Sequence, residues 1–176
     1  NMSKLGGRAT PAVALSIVVA CSLCFIFICG GAVLGARAQS PLFTSQCTFS
    51  LLSGAAAVQM PGSDRWQQAT DGIVLEAGSK VTTAADSYAL LTFFEGSTLK
   101  LQPNTEIEIQ TLQKVDASRS EIVLKQLVGK TWSRVVKMVD TGSRYEIETP
   151  AAVALVRGTL FETEVDDSGS TIVRTT

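Results

Sequence analysis

Short alternating runs separated by glycine-containing turns constrain this chain most. Gly-Ser dipeptides begin at residues 62, 78, 96, 142 and 169, and four of the five precede a run such as Thr98-Leu99-Lys100-Leu101. Glycine permits the positive φ that tight turns need. Alternation with a period of two is typical of a strand with one wet face. The pattern therefore predicts an all-β domain of about 8–11 short strands.

The clearest strands are expected at 106–112, 145–149 and 159–165, where inward apolar residues alternate with outward glutamates. Strands are also expected near 72–75, 88–94 and 122–127, and 130–139 is interpreted as strand because β-branched residues dominate it. The spacing of the Gly-Ser turns is too irregular for a strict repeat. A β-sandwich, a β-roll and a solenoid all remain open on this pattern.

A run without charge, residues 11–36, is long enough to cross a bilayer as a helix. Lys4 and Arg8 precede it, so the positive-inside bias places the N-terminus in the cytoplasm. The sequence thus predicts a cytoplasmic lead at 1–10, a signal-anchor helix at 11–36, a tether at 37–57 and an extracytoplasmic domain at 58–176. The predicted location is the cytoplasmic membrane, with the C-terminal domain periplasmic or extracellular.

Two processing alternatives compete with the uncleaved anchor. Ala36-Arg37-Ala38 has the pattern of a signal-peptidase site, and Val18-Val19-Ala20-Cys21 resembles a lipoprotein box. The apolar run is longer than a usual secretory segment, and it stays apolar well beyond Cys21, which favours the anchor. The stop at Thr176 within a β-rich stretch is consistent with a domain cut short at its C-terminus, and Asn1 before Met2 is unusual for a natural start.

Composition excludes several kinds of chemistry. The chain has no histidine, the commonest general base and metal ligand. Beyond Arg37 there are twelve Lys and Arg and sixteen Asp and Glu, a net charge of −4 that argues against a nucleic-acid partner. Cys21 and Cys24 have redox spacing but lie in the apolar run, and Cys47 is expected to be free or paired between chains. We expect no catalytic residue, metal or cofactor.

Four features each allow a functional and a structural interpretation. The alternating glutamates could pair as acids but fit solvated strand faces better, and Val165–Ser170 fits a turn better than half a calcium loop. Trp66 and Trp132 are expected to fill cores, with a carbohydrate platform as the alternative. Arg157 stands among apolar residues, so we expect it to be buried and to tie strands together, with partner binding as the alternative.

The order of residues from Trp66 to Phe161 resembles the FecR domain. Residues 93–105 are similar to a signature F-x-D-G-S … L-x-P-N-T of that family, and residues 149–161 to T-P-x-A-x-x-x-V-R-G-T-x-F. The resemblance covers 58 to about 173. The residues that carry it, expected to be structural with partner binding as the alternative, are Gly96, Ser97, Pro103, Asn104, Thr149, Pro150, Arg157, Gly158, Thr159 and Phe161.

The resemblance implies a single-pass regulator whose outer β domain receives a signal from another envelope protein. The best-known members also carry a cytoplasmic anti-sigma segment, and residues 1–10 are too short to be one. We therefore expect a membrane-anchored, protein-binding signal receiver that is not an enzyme. The alternative is a structural or cell-wall-associated module that binds wall polymer, or a subunit of an envelope complex, without signalling. The sequence leaves its oligomeric state unknown.

Overall fold

The computed structural model describes residues 45–116, 118–138 and 140–175, and all regular structure there is β. This confirms the predicted all-β domain. The thirteen strands are β1 Cys47–Ser53, β2 Ala56–Gln59, β3 Trp66–Gln68, β4 Val74–Leu75, β5 Lys80–Thr83, β6 Tyr88–Phe93, β7 Thr98–Leu101, β8 Glu106–Lys114, β9 Ser120–Arg134, β10 Arg144–Glu148, β11 Val153–Val156, β12 Leu160–Val165 and β13 Thr171–Thr175.

The long strand β9 joins two halves of one curled sheet. Its first part pairs with β8 and, in parallel, with β10, whereas its last part pairs with β7 and β12. We call the order β4-β1-β6-β7-β9-β12-β13 wing A and the order β3-β2-β5-β8-β9-β10-β11 wing B. Every pairing other than β9–β10 is antiparallel.

Strand β9 passes from one wing to the other at Gly129. This glycine has φ +94°, and a Cβ atom built on it would lie 2.5 Å from the Cα of Thr105. The Thr105 hydroxyl donates to the Lys130 carbonyl at 3.2 Å and accepts from the Lys130 amide at 3.0 Å. Buried Gln126 donates through Nε2 to the Gly129 carbonyl at 2.8 Å. A residue without a side chain is required here because β9 runs against the β7–β8 turn.

The core lies between the two wings, where the alternating strands direct their apolar residues. Tyr145 of wing B contacts two rings of wing A edge to face, Phe93 at 6.0 Å and Phe161 at 6.3 Å between centroids. The inward positions expected from alternation, including Ile107, Ile109 and Ile147, are at most 1% exposed. The predicted inward direction of these residues, on β8 and β10, is therefore confirmed. Burial raises the pKa of the Tyr145 phenol above its ordinary value.

Two expectations about the architecture need correction, and a third concerns residues outside the described ranges. The predicted count of about 8–11 strands is too low, because the three residues of β3 and the four apolar residues of β11 show no alternation of apolar and polar side chains. The predicted tether, 37–57, includes β1, whose Phe49 is fully buried, so the domain includes residues from Cys47 onward. The segments 1–10, 11–36 and 37–44 lie outside the described residues, as do Cys21 and Cys24.

Two of the alternating glutamates are covered rather than solvated. Glu146 is 4% exposed and is held by Arg144, and Glu162 is 5% exposed between Lys130 at 3.0 Å and Arg174 at 2.6 Å. The expectation of a wet face is wrong at these positions because long basic side chains lie over the carboxylates, from the same strand at Glu146 and from the two neighbouring strands at Glu162. Burial raises the pKa of the Glu162 carboxyl, but hydrogen bonds from Lys130 and Arg174 outweigh it and lower that pKa overall.

Cys47 is a free, fully buried thiol at the start of β1. Burial raises its pKa to about 12. Within the described residues the thiol has no disulfide partner, and its burial favours the expectation of a free thiol, because the folded domain shields it from disulfide exchange. The segment Asp166–Ser170 forms the turn between β12 and β13, with Asp166 Oδ1 accepting from the Ser168 and Ser170 amides at 2.9 Å. The turn interpretation of that segment is confirmed.

Candidate functional site

Four strands in the described part of the chain lie at sheet edges, and β11 is the one without protection. Strand β4 has two residues, β3 is three residues long with two glutamines, and β13 contains Arg174 bound to Glu162 and Glu164. Short length and charge are features that keep an edge from pairing with other chains. The β11 sequence, Val-Ala-Leu-Val, has neither charge nor proline.

The backbone of β11 directs its free hydrogen-bonding groups outward at two residues. The Thr149 amide donates to the Ala152 carbonyl at 2.8 Å, which makes these residues a hydrogen-bonded pair in the β10–β11 hairpin. Such pairs alternate with non-bonded pairs in an antiparallel ladder. Val153 opposite Glu148 and Leu155 opposite Glu146 are therefore non-bonded pairs. Their amides and carbonyls point away from β10, towards the open edge.

The same two residues expose their side chains. Val153 is 62% exposed and Leu155 is 58% exposed, whereas Val156 packs against the core. Leu160, at the start of β12, is 48% exposed. We call the open side of β11, with Val153 and Leu155, the β11 edge. It combines unpaired backbone groups with apolar side chains, the combination that favours the addition of another strand.

Arg157 lies just beyond β11 and is exposed, so the expectation that it is buried is wrong. Of the apolar residues before it, Val153 and Leu155 point to solvent on the outer face of β11, whereas Val156 packs against the core. Its Nη2 donates to the Thr141 carbonyl at 2.9 Å, which ties the end of β11 to the loop before β10. Gly158 has φ +92°, and a Cβ there would lie 2.7 Å from the Cα of Lys137. The Thr159 carbonyl accepts from the Val135 amide at 3.0 Å.

The other residues of the second motif hold the β10–β11 hairpin in place. The Thr149 hydroxyl donates to the Ala152 carbonyl at 3.0 Å and bonds to the Thr171 hydroxyl at 2.8 Å. Pro150 is exposed and lies against Gly169, where a Cβ would be 3.2 Å from the proline ring. Phe161 is fully buried against Tyr145. These contacts give the motif a structural role around the edge strand, and its binding role stays a prediction.

The first motif forms two turns of wing A. Gly96, with φ +98°, closes the β6–β7 hairpin, and the buried hydroxyl of Ser97 accepts from the Val136 amide at 3.0 Å. Pro103 and Asn104 form the β7–β8 turn, in which Asn104 has φ +53°. That turn contacts Gly129 and is remote in sequence from β11. The structure does not bring the first motif into the β11 edge.

The two tryptophans lie on the outer surface, which corrects the expectation that they fill the core. Trp66 is 43% exposed on edge strand β3, and Trp132 is 40% exposed on β9. Trp66 lies beside a shallow cavity of about 380 Å³ that Gln67, Gln68 and Thr82 also line. Trp132 stands opposite Lys100 of β7 and Glu162 of β12. The two rings lie on different wings and do not form one platform.

A second cavity, of about 460 Å³, is lined by Glu95, Ser120, Lys137, Asp140 and Ser143 among others. Glu95 Oε1 is buried there without a hydrogen-bond partner in the described part of the chain, and Glu95 Oε2 accepts from the Ser97 amide at 3.3 Å. Within residues 45–116, 118–138 and 140–175 no group of three or more His, Cys, Asp or Glu could hold a metal ion. No helix in those ranges has the length and apolarity needed to cross a membrane.

Sequence reasoning missed Val153 and Leu155. The signal was present in the uncharged run Val-Ala-Leu-Val between Thr149-Pro150 and Arg157-Gly158, since a short apolar run between turn residues is consistent with a strand. What the sequence does not display is the pairing partner. Apolar residues on both faces fit a buried strand as well as an unprotected edge, and only the topology places β11 outermost.

The fold and this site define an all-β domain built from one curled sheet with one unprotected edge. Within that class, the family model described as FecR protein matches residues 79–175, more than half of the 176-residue chain. The chain belongs to the FecR family. No curated protein and no solved structure matches the chain. Strands β1 to β4 precede the matched residues yet belong to the same sheet.

The FecR family is a regulatory, non-enzymatic family related to signal transduction, which supports a regulatory role in general. The β11 edge, Arg157 and the Thr149–Phe161 motif all lie within the matched residues.

Proposed function

We propose that this chain is a membrane-anchored regulatory module whose outward-facing β domain receives a signal by binding another envelope protein at the β11 edge. The observation that carries the proposal is the coincidence, at Val153 and Leu155, of unpaired backbone groups and exposed apolar side chains. A partner strand would satisfy the backbone groups and cover both side chains. The other three edges carry features that discourage such pairing.

Membrane anchoring is part of the proposal and rests on the uncharged run 11–36. A helix of that length spans a bilayer, and the basic residues before it favour a cytoplasmic N-terminus. Protease accessibility of the full chain in its own membranes, with the mass of the mature protein, tests this part. A mature chain that starts near Gln39 or at Cys21 would contradict a signal-anchor that connects the domain to the cytoplasm.

Site-specific photo-crosslinking tests the binding surface directly. A photoreactive residue replaces Leu155 in the full chain, and a matched variant carries it at Leu52, which is 50% exposed on the paired strand β1. Illumination of intact cells is expected to give one discrete protein adduct from position 155 and none from position 52. Equal adducts from both positions, or no adduct from 155, would contradict binding at the β11 edge.

A second candidate function, a wall-associated module that binds glycan, is favoured by the exposure of Trp66 beside Gln67, Gln68 and Thr82. An aromatic face next to amide and hydroxyl groups can stack on and hydrogen-bond to a sugar. Retention of the full chain on purified cell-wall polymer would support this candidate, provided that Trp66→Ala abolishes retention while Trp132→Ala, on the other wing, does not. Retention that neither variant changes would show that neither tryptophan binds the polymer.

A further inference from the structure

Three basic side chains surround the turn that follows β11. Arg134, Lys137 and Arg157 are exposed, and none of them forms an ion pair with a carboxylate in the described part of the chain. Leu160 is the cross-strand partner of Arg134, and Gly158 lies directly against Lys137. The turn therefore gathers the three residues at one end of β11. We call them the basic cluster.

Several other basic residues of the domain lie opposite acidic ones. Arg144 binds Glu121 and Glu146, and Lys130 and Arg174 share Glu162 and Glu164. Lys80 and Lys125 are both cross-strand partners of Glu108. The basic cluster differs, since the cross-strand partners of Arg134 are Thr98 and Leu160.

The carboxylates that share a cavity with Lys137 form no ion pair with the cluster in the described part of the chain. Glu95 and Asp140 line the same cavity as Lys137, but Glu95 Oε2 accepts from the Ser97 amide. Asp140 accepts from the Gly142 amide and, at 3.1 Å, from the Ser118 hydroxyl. Arg157 has donated one hydrogen bond, to the Thr141 carbonyl, and its other N–H groups have no acceptor among the described residues. An unpaired cluster of this kind, in a domain of net negative charge, calls for an acidic partner.

We infer that the partner segment at the β11 edge is an extended strand with two apolar residues spaced by two, flanked by carboxylates that face the basic cluster. The inference rests on the proposed function. The apolar pair would lie beside Val153 and Leu155, which expose most of their surface. Arg157 follows Leu155 by two residues. The acidic residues therefore precede the apolar pair in an antiparallel partner strand and follow it in a parallel one.

An anionic membrane surface offers the same charge but fits the edge less well. Hydrocarbon and lipid headgroups cannot pair with the outward amides and carbonyls of Val153 and Leu155 in a ladder, and unpaired backbone groups are costly in lipid. A polypeptide strand satisfies these groups, the apolar side chains and the cations together. The observations therefore favour a protein partner, and the membrane becomes an outcome of the test.

Labelled peptides test the inference on the full chain. Four fluorescent six-residue probes share a Val-Thr-Val core, and each carries an Asp-Glu-Asp or a Lys-Arg-Lys tail at its N-terminus or C-terminus. Binding is measured by fluorescence anisotropy at low and high salt. We expect one acidic probe to bind about tenfold tighter than its basic counterpart at low salt. The advantage should shrink to about twofold at high salt, and the preferred tail position identifies the strand direction.

Substitutions separate the charge inference from the proposed edge. Arg157→Gln with Lys137→Gln should remove most of the preference for the acidic probe, whereas Lys100→Gln, on β7, should leave it unchanged. Leu155→Ser should weaken both acidic and basic probes. Urea unfolding of each variant establishes that it is folded.

Three results would overturn the inference. Equal binding of acidic and basic probes, lost in Leu155→Ser, would leave the edge in place but refute the acidic partner. An acidic preference that Leu155→Ser does not affect would refute the edge as the place of binding. Absence of probe binding, together with retention on phosphatidylglycerol vesicles that Arg157→Gln and Lys137→Gln abolish, would replace the protein partner with a membrane surface.

Discussion

Gly129→Ala is predicted to be strongly destabilising, because two independent effects act at this position. The φ of +94° costs a non-glycine residue about 1–2 kcal/mol. A Cβ atom would also lie 2.5 Å from the Cα of Thr105 and 2.7 Å from the Asn104 carbonyl oxygen, so backbone must move. Overpacking of this kind typically costs about 1–3 kcal/mol. The expected loss in the free energy of unfolding is therefore about 2–5 kcal/mol, a large fraction of the stability of a typical domain.

Gly62→Ala is the matched control, since Gly62 has φ +73° and no atom within 4 Å of a built Cβ. It should lose only the backbone part, about 1–2 kcal/mol. Equilibrium urea unfolding of the full chain, followed by the fluorescence of Trp66 and Trp132, measures both variants. If the two variants lose the same free energy within about 0.5 kcal/mol, the close approach of β9 to the β7–β8 turn is refuted.

Two further predictions concern titratable groups. Burial raises the Cys47 pKa from 9.0 to about 12, so peptide mass spectrometry should find Cys47 alkylated at pH 8 in urea but not in the native domain. The free energy of unfolding should also fall as pH rises from about 9 towards 12, because the unfolded chain releases the thiol proton first. Alkylation of Cys47 in the native domain would refute its burial. Because the folded pKa of Glu162 is lowered, its stabilising contribution exists above the unfolded carboxyl pKa and is lost as pH falls through the folded pKa. Glu162→Gln should therefore lower the urea midpoint at neutral pH, and the midpoint of this variant should decline less towards about pH 3. Glu164→Gln should change the urea midpoint little, because the Glu164 side chain is 42% exposed. Equal effects of the two substitutions would refute the special role of Glu162.

Local features of this fold could be predicted from the sequence because they depend on neighbouring residues. Alternation at Ile107 and Ile109, and at Tyr145 and Ile147, indicated which side chains face the core. Glycine and serine marked turns, as at Gly96-Ser97. These signals arise from φ preferences and from the two faces of a strand, and neither requires knowledge of distant residues.

Long-range features could not be predicted in this way. The bend of β9 depends on Thr105, 24 positions before Gly129, and a lone glycine in a strand indicates a bend or a close approach without naming its partner. The same limitation explains the error at β1, whose place between β4 and β6 rests on pairing alone. The candidate site depends on both local and long-range features. The second motif indicated the region around Arg157, while the exposure of Val153 and Leu155 became visible only once β11 was placed at an edge.

A single proline substitution in β11 tests most directly the claim that a partner strand pairs with the β11 edge. The Leu155 amide faces the open edge, so Leu155→Pro removes a donor that a partner strand would use without breaking a bond to β10. Leu155→Val keeps the donor and the apolar side chain, and both variants carry a photoreactive residue at Val153 in the full chain. Urea unfolding should find both folded. The account predicts a discrete protein adduct from the valine variant and its loss in the proline variant. Equal adducts from the two folded variants would contradict recognition by strand pairing at β11.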